Sequence, residues 1–81
     1  MFFVYIIESS KTKGYYIGYT ENIEKRLEYH NNGLNRTTRN KGLWKLVYKE
    51  LYQTKKEALI RERFLKNQKN TDFYRRLIYG T

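Results

Sequence analysis

Cysteine and proline are both absent from this chain, and histidine occurs once. The lack of cysteine excludes disulfides, iron–sulfur clusters, thiol nucleophiles and thiolate zinc sites together. A single histidine excludes metal sites built from several imidazoles. Long apolar runs are missing as well. The longest near the start is Phe2-Phe3-Val4-Tyr5-Ile6-Ile7, far short of the ~20 residues that span a bilayer. No basic stretch precedes it, so it does not read as a secretory signal. The expected compartment is the cytoplasm, with no membrane partner. At 81 residues there is room for one domain, 1–81, with a thin core.

Acidic residues are the other shortage: 8 against 17 basic, for a formal charge of +9. The imbalance is uneven. Residues 1–33 hold four basic and four acidic groups, whereas residues 34–81 hold thirteen basic and four acidic ones. A domain this basic, with its excess in one part of the chain, meets a polyanion, and nucleic acid is the leading candidate. An anionic membrane surface or a merely solvated face would explain the same charge less economically. Apolar residues at 40% and aromatics at 17%, nine of them tyrosine, describe a folded chain rather than a disordered one.

Residues 2–8 are aromatic and β-branched and predict a strand buried on both faces. A turn over 9–14 leads to a second strand at 15–20, so the two form a hairpin. Gly18 within that strand is costly and suggests close approach by another chain or a ligand. Asn22 can cap a helix reaching about His30, with Ile23 and Leu27 inward, and Asn31-Asn32-Gly33 stops it. Residues 34–43 show no periodicity and predict a basic surface loop. A third strand follows at 44–52. Thr54-Lys55-Lys56-Glu57 matches a capping box and opens a second helix to about Lys69, with Ala58, Leu59 and Leu65 buried. Asn70 or Thr71 caps a last helix carrying Phe73, Tyr74, Leu77 and Ile78. The expectation is an α+β sandwich in the order ββαβαα, its antiparallel or mixed three-stranded sheet ordered 2-1-3 and flanked by three helices.

Few residues remain that could carry chemistry. Arg26 and His30 share a helix face at i,i+4, near the boundary between helix and sheet. Glu62 lies four residues after Ala58 and so points inward, where a carboxylate is expensive unless it meets a cation or donors. Tyr5 and Tyr16 stand on adjacent strands close to Gly18. Taken singly, each has a plain structural reading: core aromatics, a surface arginine, a part-buried histidine, and a salt bridge from Glu62 to Arg61, Arg63 or Lys66.

Taken together, their order resembles a known family. Phe3-Val4-Tyr5 and Tyr16-Ile17-Gly18 look like the two half-motifs of the GIY-YIG nucleases, with Phe3 standing where the family has glycine. Arg26 to Gly33 (R-L-x-x-H-N-x-G) is similar to that family's helix signature. Glu57-Ala58-Leu59-x-x-Glu62-x-x-Leu65-Lys66 resembles its distal segment. The resemblance covers residues 3–66 and points to short stand-alone members similar to the UvrC N-terminal domain.

That resemblance implies a metal-dependent endonuclease acting on DNA, with RNA as a second substrate class, and a role in DNA repair or processing. Its catalytic set is Tyr5, Tyr16, Arg26, His30 and Glu62. Glu62 would hold one Mg²⁺ or Mn²⁺, which keeps several waters and so needs few protein ligands. Arg26 offers a fork of donors, always charged, to a phosphate oxygen. Tyr16 would take a proton from water, with Tyr5 beside it or sharing the role. A free phenol has a pKa near ~10, so neighbouring positive charge must favour the phenolate. His30 would relay the proton or bond the phosphate. Arg36, Arg39, Lys41, Lys45 and Lys66 would hold the nucleic-acid backbone, with Gly18 admitting its close approach. The competing reading is a non-catalytic nucleic-acid-binding module on the same scaffold. Its mark would be a missing catalytic residue, and all five are present.

Overall fold

Strand β1 (Phe2–Ser9) is central because its sequence is apolar on both sides: Val4, Tyr5, Ile6 and Ile7 are all buried. The computed structural model describes residues 1–80. Strand β2 (Tyr15–Thr20) pairs antiparallel with one edge of β1, and β3 (Trp44–Tyr52) antiparallel with the other, giving the order β2-β1-β3. The register of β1 on β3 shifts between Ile6 and Ile7. Helix α1 (Ile23–Asn31) crosses from β2 to β3, and α2 (Lys55–Lys66) and α3 (Thr71–Tyr79) follow. The fold is α+β with an open, wholly antiparallel sheet. Among the described residues no helix is long and apolar enough to cross a membrane.

Alternation along the strands divides the core in two. Val4, Ile6 and Ile17 pack with Ala58 and Leu65 of α2 and Tyr74 of α3. Tyr5, Ile7 and Trp44 pack on the other face with Tyr16, Leu46, and Ile23 and Leu27 of α1. Side-chain caps start all three helices. Asn22 Oδ1 accepts from the Lys25 amide, Thr54 Oγ1 from Glu57, and Asn70 Oδ1 from Asp72 and Phe73.

Two expectations change in detail, and the capping box forms as expected. Helix α2 ends at Lys66 rather than Lys69. Asn67 caps it, and Lys69 turns to φ +47° to launch α3. Leu59 is half-buried, leaving Ala58 and Leu65 as the buried stripe. In the capping box, the Glu57 carboxylate accepts from the Thr54 hydroxyl at 2.9 Å.

Arg61 is withdrawn from the set of partners open to Glu62. Its Nε and Nη2 donate to the two carboxylate oxygens of Glu50 at 2.8 and 3.0 Å. The hydroxyls of Tyr48 and Tyr52 donate to the same carboxylate. Burial would raise the Glu50 pKa, but these donors outweigh it and hold the carboxyl below its ordinary value.

Candidate active site

Tyr5 and Tyr16 project from β1 and β2 onto the face covered by α1, and α1 carries Arg26 and His30 across them. The four side chains form one connected group. The Tyr5 hydroxyl lies 2.9 Å from His30 Nε2, in a buried contact. Arg26 Nε donates to the same Tyr5 oxygen at 3.4 Å, and its guanidinium stacks over Tyr29 with 4.3 Å to the ring centroid. The Tyr16 and His30 rings meet at a centroid distance of 4.8 Å.

Burial sets the protonation of two of these groups. Removal from water pushes the Tyr5 phenol up to about 12, against the hydrogen bond and charge of Arg26. Burial, followed by the Arg26 charge, pushes His30 down to about 4. At neutral pH the pair is therefore a phenol beside a neutral imidazole.

Gly18 is explained from inside the fold. The close approach expected of a ligand is made by the Tyr5 ring: a Cβ built on Gly18 would sit 2.5 Å from the Tyr5 hydroxyl oxygen and 2.7 Å from Cζ. Gly18 is buried and acts as the seat of Tyr5 rather than as an exposed backbone contact. Gly18→Ala is expected to cost about 1–3 kcal/mol by overpacking. It should also displace Tyr5 from His30. A melting curve and a cleavage assay check the two effects, and an unchanged melting temperature would contradict this packing.

Helix α2 brings Glu62 and Lys66 to the same region from beyond β2. Lys66 Nζ lies 5.9 Å from the Tyr16 ring centroid and 3.5 Å from the Glu62 carboxylate, so Lys66 is the partner chosen from the three available. The Glu62 side chain is 14% exposed, and its charge adds to the upward push on Tyr5.

The remaining basic residues separate. Arg36, Arg39 and Lys41 are exposed on the 34–43 connection. Lys45 pairs with Glu8 at 3.9 Å. Both lie on the sheet face opposite Tyr5, and Lys45 belongs to the edge strand remote from Tyr16, so the fold does not bring it to this group.

The 34–43 connection is the expected surface loop, and specific side-chain contacts fix its course. Thr38 is 1% exposed and places Oγ1 2.9 Å from His30 Nδ1. Its carbonyl accepts from Trp44 Nε1 at 3.0 Å. Asn35 Oδ1 accepts from the amides of Thr37 and Thr38, while Asn35 Nδ2 reaches the Tyr16 hydroxyl at 3.5 Å. Asn31 clamps the backbone of Trp44 from both sides. Sequence reasoning missed Asn35 and Thr38. The available signal was an asparagine two and three residues ahead of threonines, the spacing of a side-chain-stabilised turn.

Comparison with known proteins agrees with this arrangement. Residues 1–76 match the family described as the GIY-YIG catalytic domain. The chain is 45% identical over 67 residues to a UPF0213 protein of Clostridium perfringens, spanning 82% of this chain and 71% of that one. A UPF0213 protein of Bacillus licheniformis is 40% identical over 73 residues, spanning 86% and 75%. The solution NMR structure of a UPF0213 protein from Bacillus halodurans is similar with a TM-score of 0.62 at 28% identity, covering 100% of this chain and 86% of that one. The chain belongs to the GIY-YIG family, and within it to the small UPF0213 proteins.

Proposed function

We propose that residues 1–81 form a single nuclease domain that hydrolyses DNA phosphodiester bonds with the help of one divalent cation, in DNA repair or processing. The observation that carries this reading is the convergence of Tyr5, Tyr16, Arg26 and His30 in one connected group, with Glu62 reaching it from α2. A structural cluster has no need of an arginine and a carboxylate at the rim of a buried phenol, a half-buried one and an imidazole.

The donor set fits a water-rich ion and not a protein cage. Among the described residues no three of His, Cys, Asp and Glu gather closely enough to enclose a metal. Glu62 alone, its side chain mostly covered and already facing a cation in Lys66, offers one hard oxygen ligand. That suits Mg²⁺ or Mn²⁺, which retain waters and share phosphate oxygens. When bound, such an ion supplies positive charge at a phosphate oxygen.

The side chains divide the remaining work. Arg26 presents its guanidinium to the phosphate, where negative charge accumulates as the pentacoordinate transition state forms. In this reading Tyr16 takes the proton of the attacking water, a role supported by its half-buried position and by the contact of Asn35 Nδ2 with its hydroxyl. Tyr5 is buried and engaged with His30, so it anchors the group rather than meeting water. Arg36, Arg39, Lys41 and Lys66 hold the backbone on either side, contacts that position the strand without reading bases.

The test is incubation of purified protein with labelled single-stranded, duplex and branched DNA, and with RNA, in Mg²⁺, Mn²⁺ or EDTA. Cleavage of DNA in either metal, absent in EDTA, is the expected result. Binding without cleavage on every substrate would favour a non-catalytic nucleic-acid-binding module on the same scaffold.

A further inference from the structure

Thr38 is a buried polar side chain in an otherwise exposed basic segment. Arg36, Thr37, Arg39 and Asn40 are all exposed around it. Its position is held from three sides: the Asn35 carboxamide accepts from its amide at 3.2 Å, its carbonyl accepts from Trp44 Nε1, and its hydroxyl meets His30 Nδ1.

The hydrogen-bond chain has a direction. Tyr5 is 2% exposed and protonated at neutral pH, so its hydroxyl hydrogen needs an acceptor. Arg26 Nε can only donate. Among the described residues, His30 Nε2 is the remaining partner of that hydroxyl. Nε2 must then carry a lone pair, and in a neutral ring the hydrogen sits on Nδ1, facing Thr38 Oγ1. The opposite tautomer would aim two donors at the Tyr5 oxygen and leave the phenol hydrogen buried without a partner. Free histidine in water favours Nε2–H, so the protein has to impose the other form.

We propose that Thr38 is a positioning residue: by accepting from Nδ1–H it fixes His30 as the Nδ1–H tautomer and keeps the Nε2 lone pair on the Tyr5 hydroxyl. The consequence for catalysis rests on the nuclease reading, but the tautomer does not. Through Thr38 the segment bearing Arg36 and Arg39 is joined to the buried end of the site. A backbone phosphate held by those arginines therefore acts on a segment already tied to His30.

The experiment exploits the single histidine of the chain, whose two ring ¹⁵N signals belong to His30 without residue assignment and are told apart by their couplings to the ring protons. Long-range ¹H–¹⁵N spectra of the free protein at neutral pH should show a pyrrole-type Nδ1 and a pyridine-type Nε2. Thr38→Val keeps the shape and removes the acceptor; it should move the two shifts toward each other or exchange them, and slow cleavage by about tenfold or more. Thr38→Ser restores the hydroxyl and should return both readouts to near wild type. Thr38→Cys, whose sulfur accepts weakly, replaces the valine variant if that one fails to fold. A wild-type spectrum with pyrrole-type Nε2, or a folded valine variant with unshifted nitrogens, overturns the assignment. Shifted nitrogens in a protein that cuts nothing would support Thr38 and overturn the nuclease reading instead.

Discussion

Glu62→Gln is expected to abolish metal-supported cleavage, by at least ~10²-fold, while the protein keeps its fold. Glutamine has the shape of glutamate without the charge that holds a hard cation. The structural cost is small, because the lost interaction is an i,i+4 pair with Lys66, whose side chain is 47% exposed. Pairs of this kind contribute no more than about 0.5 kcal/mol, and solvent screening lowers that figure here. Glu57 is the natural control. It lies in the exposed first turn of α2, where its carboxylate is bonded to the Thr54 hydroxyl. Glu57→Gln should cost a few tenths of a kcal/mol at most and leave cleavage measurable. Single-turnover rates in Mg²⁺ and Mn²⁺, with melting curves for each variant, separate the two outcomes. A Glu62→Gln protein that cuts as fast as wild type would remove the one-carboxylate site. No acidic cluster among the described residues is available to replace it.

The parts of this fold that were readable in advance are those in which neighbouring residues decide the outcome. An apolar run such as Val4 to Ile7 can satisfy both faces only as a central strand, and β1 is that strand. The asparagines and threonine that begin the helices cap them through atoms two or three residues away. Tyr5, Tyr16, Arg26 and His30 come together because the strand pairing and one helix crossing bring them there. Contacts between distant segments were not readable. Nothing near Arg61 in sequence announces Glu50, and the choice follows from how α2 lies on β3. Gly18 could be recognised as a place where something approaches closely, but not that the visitor is Tyr5 from the next strand. The 34–43 segment was hardest, because Asn35 and Thr38 have polar side chains that usually mark solvent. Here they are satisfied by Tyr16 and His30.

Arg26→Ala should separate rate from affinity. We expect single-turnover cleavage to fall by about 10²–10³-fold, the range for losing one preorganised donor at a developing negative charge. Binding should weaken by less than about tenfold, since one phosphate contact among many carries a small share of the electrostatic affinity. Thirteen basic groups lie beyond residue 33, and Arg26 is not among them. The pH behaviour distinguishes this account from simple loss of structure. Arg26 is the second cause of the lowered His30 pKa, after burial. Removing it should let that pKa rise from about 4 while remaining below 6.5, so His30 stays neutral at pH 7 and the phenol–imidazole contact survives. Arg26→Lys sharpens the test. An ammonium restores the charge but not the planar fork that bonds both Tyr5 and a phosphate oxygen, so it should recover binding fully and rate only in part. Equal losses of rate and affinity in Arg26→Ala, with lysine recovering both, would make Arg26 an ordinary backbone contact. A rate that falls far more than affinity, with lysine a poor substitute, requires a guanidinium facing the phosphate where its charge grows.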